Sequence, residues 1–285
     1  MKPRAFQYHA PESVGEAVGL LEAHGDDAKV LAGGQSLVPM LNLRLTSFEH
    51  LVDLNRIAGL GTIERSSGTV RVGAVVRQAA AERSPDVAVG APLLARALPH
   101  IGHFQIRNRG TVGGSIAHAD PASELPAVAL ALDATLEVSG PAGVRIIAAD
   151  EFFLSTWETA IGDGEILISV DFPSWGGRCG FAVEEIARRH GDFALAGAAV
   201  GVGLDEDLRV VRCAIGLFGV GSTPVRAHDA EVALTGGASI GEAAALAAAD
   251  IDPPGDVHAT AMYRKEVAAV VVRRALAAAI EEACL

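Results

Sequence analysis

Two short glycine-rich stretches constrain this chain more than any other feature: Ala32-Gly33-Gly34-Gln35-Ser36 and Thr111-Val112-Gly113-Gly114-Ser115. A Gly-Gly pair lets the backbone pass through positive φ and approach a ligand closely, and the serine that follows adds a hydroxyl beside the freed N–H groups. Ahead of the first pair, Lys29-Val30-Leu31 has the apolar character of a short strand. Leu37 to Leu45 reads as the start of a helix or turn, so the N–H groups in between point at a phosphate. One such stretch also fits a plain turn. Two matched copies point to a diphosphate held from both sides, hence to a dinucleotide.

The common dinucleotide folds do not fit. A Rossmann unit needs G-x-G-x-x-G between a strand and a helix. The nearest strings, Gly201-Val202-Gly203 and Gly219-Val220-Gly221, carry Glu206 and Pro224 where the third glycine belongs. No G-x-x-x-x-G-K-[ST] loop is present either. The cradle therefore belongs to another architecture.

The strings Leu31-Ala-Gly-Gly-Gln-Ser-Leu-Val-Pro-Met-Leu-Asn-Leu-Arg-Leu45 and Gln105-Ile-Arg-Asn-Arg-Gly-Thr-Val-Gly-Gly-Ser-Ile-Ala-His-Ala-Asp-Pro-Ala-Ser-Glu-Leu-Pro126 resemble the FAD-binding subunit of molybdenum hydroxylases. The likeness is greatest to the medium subunit of aerobic carbon monoxide dehydrogenases and more distant to the flavin domain of xanthine dehydrogenase. It runs almost end to end, with echoes at Arg188-Arg-His-Gly-Asp-Phe-Ala194 and Tyr263-Arg-Lys-Glu-Val267. The resemblance implies an α+β fold: a two-lobed FAD domain of the vanillyl-alcohol oxidase and p-cresol methylhydroxylase type, then a smaller α+β domain with a three-stranded antiparallel sheet and helices. Loops from the two lobes would meet across the FAD diphosphate.

The rest of the chain is compatible with that. At 285 residues, half of them hydrophobic and a fifth charged, it is long enough for about two packed domains. Its 23 Lys and Arg against 35 Asp and Glu leave a net charge of −12 without a basic block, which disfavours nucleic acid and anionic membranes as partners. The first residues lack an apolar signal core, and no apolar run reaches the roughly 18 residues of a span, so a soluble cytoplasmic protein is expected. Cys179, Cys213 and Cys284 lie far apart without C-x-x-C spacing, which argues against a disulfide framework or a zinc site. An iron–sulfur cluster takes four thiolates, more than this chain has. His100 and His103, with His118 and His190, lack a ligand spacing such as H-E-x-x-H, so no metal is expected.

Ser13-Val-Gly-Glu16 has the form of a capping box opening a helix that Gly25 ends. Leu51 to Leu54 reads as a strand closing the first lobe, about 1–57. From Thr62 the pattern changes to the strands Thr62–Arg65 and Thr69–Gly73 around a Ser66-Ser67-Gly68 turn, beginning a second lobe, about 58–175. Helices are expected at Val75–Arg83 and Pro92–Leu98, a loop from Pro99 to Ser115, and a helix at Pro121–Leu132 with Pro121 in its first turn. Strands follow at Thr135–Ser139, Val144–Ile147 and Glu165–Phe172. Pro173-Ser-Trp-Gly-Gly177 reads as a linker, giving domains 1–175 and 176–285. The second would hold strands Phe181–Ala187, Ala194–Leu204 and Arg209–Val220, then helices near Val225–Leu234, Ile240–Ala248 and His258–Glu282.

The resemblance also implies site residues. Gly33, Gly34, Gln35 and Ser36 would contact the FAD diphosphate, flanked by Leu31, Ala32 and Leu37, with Thr111, Gly113, Gly114 and Ser115 in the same role. Asp120 and Glu124 would repel a diphosphate, so they suit ribose or ribityl hydroxyls; helix capping is the alternative for both. Ile101 falls at a position that packs on the flavin nucleotide, or else in the core. Ile166 and Leu167 fall at a backbone contact to the pyrimidine ring, and Asp192 and Phe193 at the isoalloxazine edge. Glu184 stands where the xanthine dehydrogenase branch has Lys, and that reversal of charge keeps the role from transferring. No catalytic side chain is expected, since the cofactor does the chemistry.

The expected function is therefore the FAD-carrying subunit of a heterotrimeric molybdenum hydroxylase, holding FAD without a covalent link. A 2Fe-2S small subunit and a large subunit with the molybdenum cofactor would be its partners, as a dimer of heterotrimers. Two alternatives stay open at this point: a self-sufficient FAD oxidase or dehydrogenase, and a non-flavin interaction module.

Overall fold

The computed structural model describes residues 2–285. The first lobe holds β1 (Gln7–His9), α1 (Val14–His24), β2 (Ala28–Leu31), α2 (Leu37–Leu43) and β3 (His50–Asp53). Its three strands form a parallel sheet in the order β1-β3-β2, with Ala17, Val18 and Leu21 of α1 buried beside it. Ser13 caps α1 by accepting from the Glu16 N–H (3.2 Å), and Gly25 ends it at φ +50°. The Glu16 carboxylate accepts from Glu12 N–H (2.9 Å) rather than from the cap residue, so the expected box closes one residue early.

The second lobe is built on a five-stranded antiparallel sheet, ordered β4-β5-β10-β6-β7. Its elements are β4 (Ile63–Ser66), β5 (Thr69–Gly73), α3 (Gln78–Glu82), α4 (Pro85–Gly90), α5 (Pro92–Ala97), α6 (Phe104–Arg107), α7 (Val112–His118) and α8 (Glu124–Ala131). They continue with β6 (Thr135–Gly140), β7 (Gly143–Ala148), α9 (Ala149–Phe152), β8 (Phe153–Ser155), β9 (Glu158–Thr159) and β10 (Ile166–Pro173). Three expectations are corrected here. The helix expected from Val75 begins only at Gln78. Residues 99–115 are not one loop but contain α6 and the first turn of α7. Pro121 lies ahead of α8, whose N-cap is Ser123. All eight residues of α8 are buried, which is why, after Glu124, its sequence is apolar all round.

The last part holds β11 (Arg178–Ala187), β12 (Ala194–Leu204), β13 (Val210–Phe218), β14 (Val225–Arg226), α10 (His228–Thr235), α11 (Ile240–Ala249) and α12 (Ala261–Cys284). Its antiparallel sheet has four strands, β11-β12-β13-β14, not the expected three. The segment expected to open a helix at Val225 instead pairs Val225 and Arg226 with Leu217 and Gly216. The reason lies in the Arg226 side chain, which reaches Glu231, Asp133 (3.0 Å) and the Leu130 carbonyl (2.6 Å) and so pins this edge to α8. Every residue of β12 is buried, with α12 on one face of the sheet and α5 and α8 on the other. Phe181, Val183, Ala199 and Phe218 share one core with Leu94, Leu125 and Val128. The hairpin β11–β12 is thereby fixed against the second lobe. Among the described residues, no helix is long and apolar enough to cross a membrane.

Candidate functional site

The first glycine stretch leaves the parallel sheet at the end of β2. Gly34 sits at φ +73°, a conformation that costs an L side chain about 1–2 kcal/mol. The turn leaves a run of backbone donors unpaired. Among the described residues, the N–H groups of Gly33, Gly34, Gln35, Ser36 and Leu37 donate to no protein acceptor, and the Ser36 hydroxyl is equally unpartnered. Five consecutive free donors around a left-handed glycine form an anion-binding concavity. It opens on a pocket of about 290 Å³ lined by Leu31, Gly33, Gln35, Asp53, Asn55 and Arg109.

The second stretch is differently made. Thr111 is the N-cap of α7, and its Oγ1 accepts from the Gly114 N–H (3.0 Å). Val112 N–H donates to Val76 O (2.9 Å), Gly113 N–H to Ala74 O (3.1 Å) and Ser115 N–H to Thr111 O (3.1 Å). The expectation that this pair presents free N–H groups is therefore corrected: its donors are consumed by the cap and by the neighbouring chain. Thr111 and Gly113 are buried, whereas Gly114 and Ser115 stay partly open.

The two stretches do meet. A Cβ on Gly33 would lie 2.6 Å from Arg109 O and 3.0 Å from Thr111 N, and one on Gly114 would lie 3.5 Å from the Ala32 Cβ. A polar bracket that sequence reasoning missed holds them in place. Asn55 Nδ2 donates to Ala32 O (2.9 Å), and Arg77 Nη2 donates to Asn55 Oδ1 (2.6 Å) while Nη1 donates to the Arg109 carbonyl. Asp53 accepts from Asn55 N–H (2.9 Å) and from the Tyr8 hydroxyl (2.6 Å). Burial and the charge of Arg109 lower the pKa of Arg77. Arg109 itself is exposed and makes no ion pair among the described residues, so its charge is free for a ligand. Only its place inside the second motif hinted at this.

A second group of expected residues gathers at the tip of the β11–β12 hairpin. A Cβ on Gly191 would lie 3.0 Å from the Gly102 carbonyl carbon, so the tip carrying Asp192 and Phe193 rests beside Ile101. Phe193 is 68% exposed at this tip. Glu124, at the start of α8, is buried, and the loss of water pushes its carboxyl up to about 7, with the Glu185 charge adding to the rise. His100 Nδ1 stands 3.4 Å from Glu185 Oε1, a contact that raises the histidine's pKa against the opposing effect of burial. Glu185 Oε2 is buried without a partner.

Three expected residues are less available. Both Asp120 oxygens are engaged, with Ala122 N–H (2.9 Å) and Trp157 Nε1 (3.2 Å). The side chains of Ile166 and Leu167 are buried in the core. Their backbone is not enclosed on both sides, because β10 pairs with β5 only from Ser169 onward.

A two-lobed domain with such an anion cradle, followed by a domain whose hairpin tip rests beside Gly102, fits a dinucleotide-binding class. Comparison with known proteins gives the family. The family described as "FAD binding domain in molybdopterin dehydrogenase" matches residues 4–175, and "CO dehydrogenase flavoprotein C-terminal domain" matches 181–279. The chain belongs to this family, the FAD-binding medium subunits of molybdenum hydroxylases. It is 43% identical to the 6-hydroxypseudooxynicotine dehydrogenase complex subunit alpha of Paenarthrobacter nicotinovorans, over 99% of this chain and 97% of that one. It is 41% identical to the carbon monoxide dehydrogenase medium chain of Hydrogenophaga pseudoflava, over 98% of each. A solved structure of carbon monoxide dehydrogenase from that organism, lacking the Mo-pyranopterin moiety of the cofactor, superposes with a TM-score of 0.95 at 42% identity, covering 99% of both chains.

Proposed function

We propose that this chain receives electrons from a 2Fe-2S partner and passes them through FAD to an external acceptor, while substrate is oxidised on a separate molybdenum subunit. The observation that carries this is the run of five unpartnered N–H groups from Gly33 to Leu37 facing the Arg109 charge, which fits a diphosphate. Residues 1–175 hold the cofactor, in lobes of about 1–57 and 58–175, and residues 176–285 form the covering and docking domain.

When bound, FAD supplies the hydride and single-electron chemistry. The chain binds and orients it. The N–H groups of Gly33–Leu37 and the hydroxyls of Ser36 and Ser115 hold the diphosphate, with Leu31, Ala32, Gln35 and Gly114 shaping the walls. Ile101 would pack on the nucleotide, and Glu124 would accept from a hydroxyl of the sugar chain. The open backbone edge at Ile166 and Leu167 would take a polar edge of the cofactor. Asp192 and Phe193 at the hairpin tip would shield it from water. Thr111, Gly113 and Asp120 act at one remove, by building the walls.

The assembly is a cytoplasmic dimer of heterotrimers. Purification of the tagged chain from its native cell should bring down two further chains, with molybdenum and iron in the complex. The FAD is held without a covalent link, so acid precipitation should leave all yellow colour in the supernatant. The chain alone should hold FAD that dithionite reduces and should oxidise no substrate. Robust turnover by the single chain, free of iron and molybdenum, would overturn the proposal.

A further inference from the structure

Away from the flavin cradle, the first lobe gathers three histidines from three elements. His9 ends β1, His24 ends α1 and His50 begins β3. In the parallel register Gln7 lies opposite His50, so His9, two residues on, projects to the same sheet face. The last turn of α1 brings His24 over that face. The rings of His24 and His50 are stacked with centroids 3.5 Å apart, and those of His9 and His50 are 5.2 Å apart. His9 Nε2 and His50 Nδ1 are within hydrogen-bond distance at 2.9 Å, and one candidate ligand nitrogen from each of the three rings lies within 4.8 Å of the others. All three residues are half-buried.

We propose that His9, His24 and His50 form a zinc site that ties the edge strand β1 and the end of α1 to β3. Three imidazoles from separate elements suit zinc, whose structural and catalytic sites take nitrogen at about 2.0–2.1 Å. Tetrahedral geometry at that length sets the nitrogens about 3.3 Å apart. The 2.9 Å pair then opens by a few tenths of an ångström, and the His24 ring, stacked nearly parallel on His50, must turn so that its in-plane nitrogen converges on the ion. The local field agrees with a cation. His24 lies at the C-terminal, negative end of an 11-residue helix. Asp27 lies close enough for its charge to act on His24. Water completes the fourth position. Nothing in the linear sequence pairs residues 9, 24 and 50, which is why spacing motifs do not find them.

The test uses the full chain with FAD bound, stripped by chelator and then dialysed against micromolar free zinc. Elemental analysis should give one zinc per chain, and zinc should raise the unfolding temperature. Cobalt(II) should produce the intense visible bands of a four-coordinate site, to the red of the flavin absorption. His24→Gln, at a helix end where the fold tolerates it, should weaken zinc at least tenfold while leaving the flavin content unchanged. His9→Asn should do the same, and affinity should fall as pH is lowered, because protons compete with the ion for the imidazole nitrogens. Less than a tenth of an equivalent of zinc in the wild type, only weak octahedral cobalt bands, or equal affinity in both variants would overturn the site.

Discussion

Gly33-Gly34 and Gly113-Gly114 carry the same short motif on stretches that touch, yet they do different physical work. In the first pair the backbone is spent on the ligand side: Gly34 takes a left-handed turn and five donors stay free. In the second, the backbone is spent on the fold. Gly113 is a gap through which α7 presses on the chain after β5, and a Cβ there would lie 2.5 Å from Ala74 Cα. Gly114 gives its N–H to the Thr111 cap. The first segment is thus a binding surface and the second a brace that sets its position. Sequence likeness between two loops does not imply that both touch the ligand in the same way.

The sharpest way to break this comparison is Gly113→Val. Its Cβ would meet main chain at Ala74 Cα and O (2.7 Å), which cannot swing aside. The expected loss exceeds about 4 kcal/mol, enough to leave little soluble folded protein. Normal yield and an unchanged melting temperature would show that the brace is not there.

A second test concerns Glu124, on the brace side of the site. Its carboxyl is raised from an ordinary 4.5 to about 7, so the unfolded chain releases this proton at lower pH than the folded one. Stability should therefore be greatest below about 4.5 as far as this group is concerned. It should fall as pH rises from there through 7, by about 3 kcal/mol in all. His100, raised by Glu185, adds a loss of the same sign as pH rises past the usual imidazole range. Glu124→Gln should flatten the slope of melting temperature between pH 5 and 8 in the flavin-free protein. A slope that survives the substitution would assign it to other groups.

Gly34→Val comes third. The positive φ costs about 1–3 kcal/mol in a β-branched residue. The new side chain would also crowd Val38 (3.1 Å) and Leu31 (3.3 Å). The fold should survive with a lower melting temperature, and flavin affinity should drop by tenfold or more, equivalent to about 1.4 kcal/mol. Full flavin content at normal affinity would separate the first segment from the diphosphate.

These differences mark how far the chain could be read before it was folded. Strands β2 to β7 and β10, with α1 and α12, were legible, because hydrophobic period, caps and turn residues are local signals, whereas the meeting of the two glycine stretches was implied by their matched motifs and the family resemblance. The bracket of Asp53, Asn55 and Arg77 was not, since it joins residues from the end of β3 and the start of α3 that no spacing rule relates. Nor was the satisfaction of the α7 donors, which depends on Val76 and Ala74 lying alongside. The fourth strand β14 escaped for a similar reason. Two residues cannot show a period, and their pairing is decided by where Arg226 reaches.

The smallest effects give the cleanest comparison, because Thr111 and Ser36 are both hydroxyl residues placed just ahead of a helix. The Thr111 side chain accepts from Gly114 N–H at 3.0 Å and is buried, whereas the Ser36 hydroxyl makes no cap bond and is exposed. Thr111→Val keeps the shape and removes the acceptor, so stability should fall by about 1 kcal/mol, as for other lost caps. Its effect on flavin affinity should be slight. Ser36→Ala removes nothing that the folded chain uses, so its melting point should stay within the equivalent of about 0.5 kcal/mol. Loss of one hydrogen bond to a charged group should instead weaken flavin binding by about tenfold or somewhat more. Thermal melts and flavin titrations on both variants fill a two-by-two comparison. If Thr111→Val costs affinity and Ser36→Ala costs stability, the division between binding surface and brace is reversed.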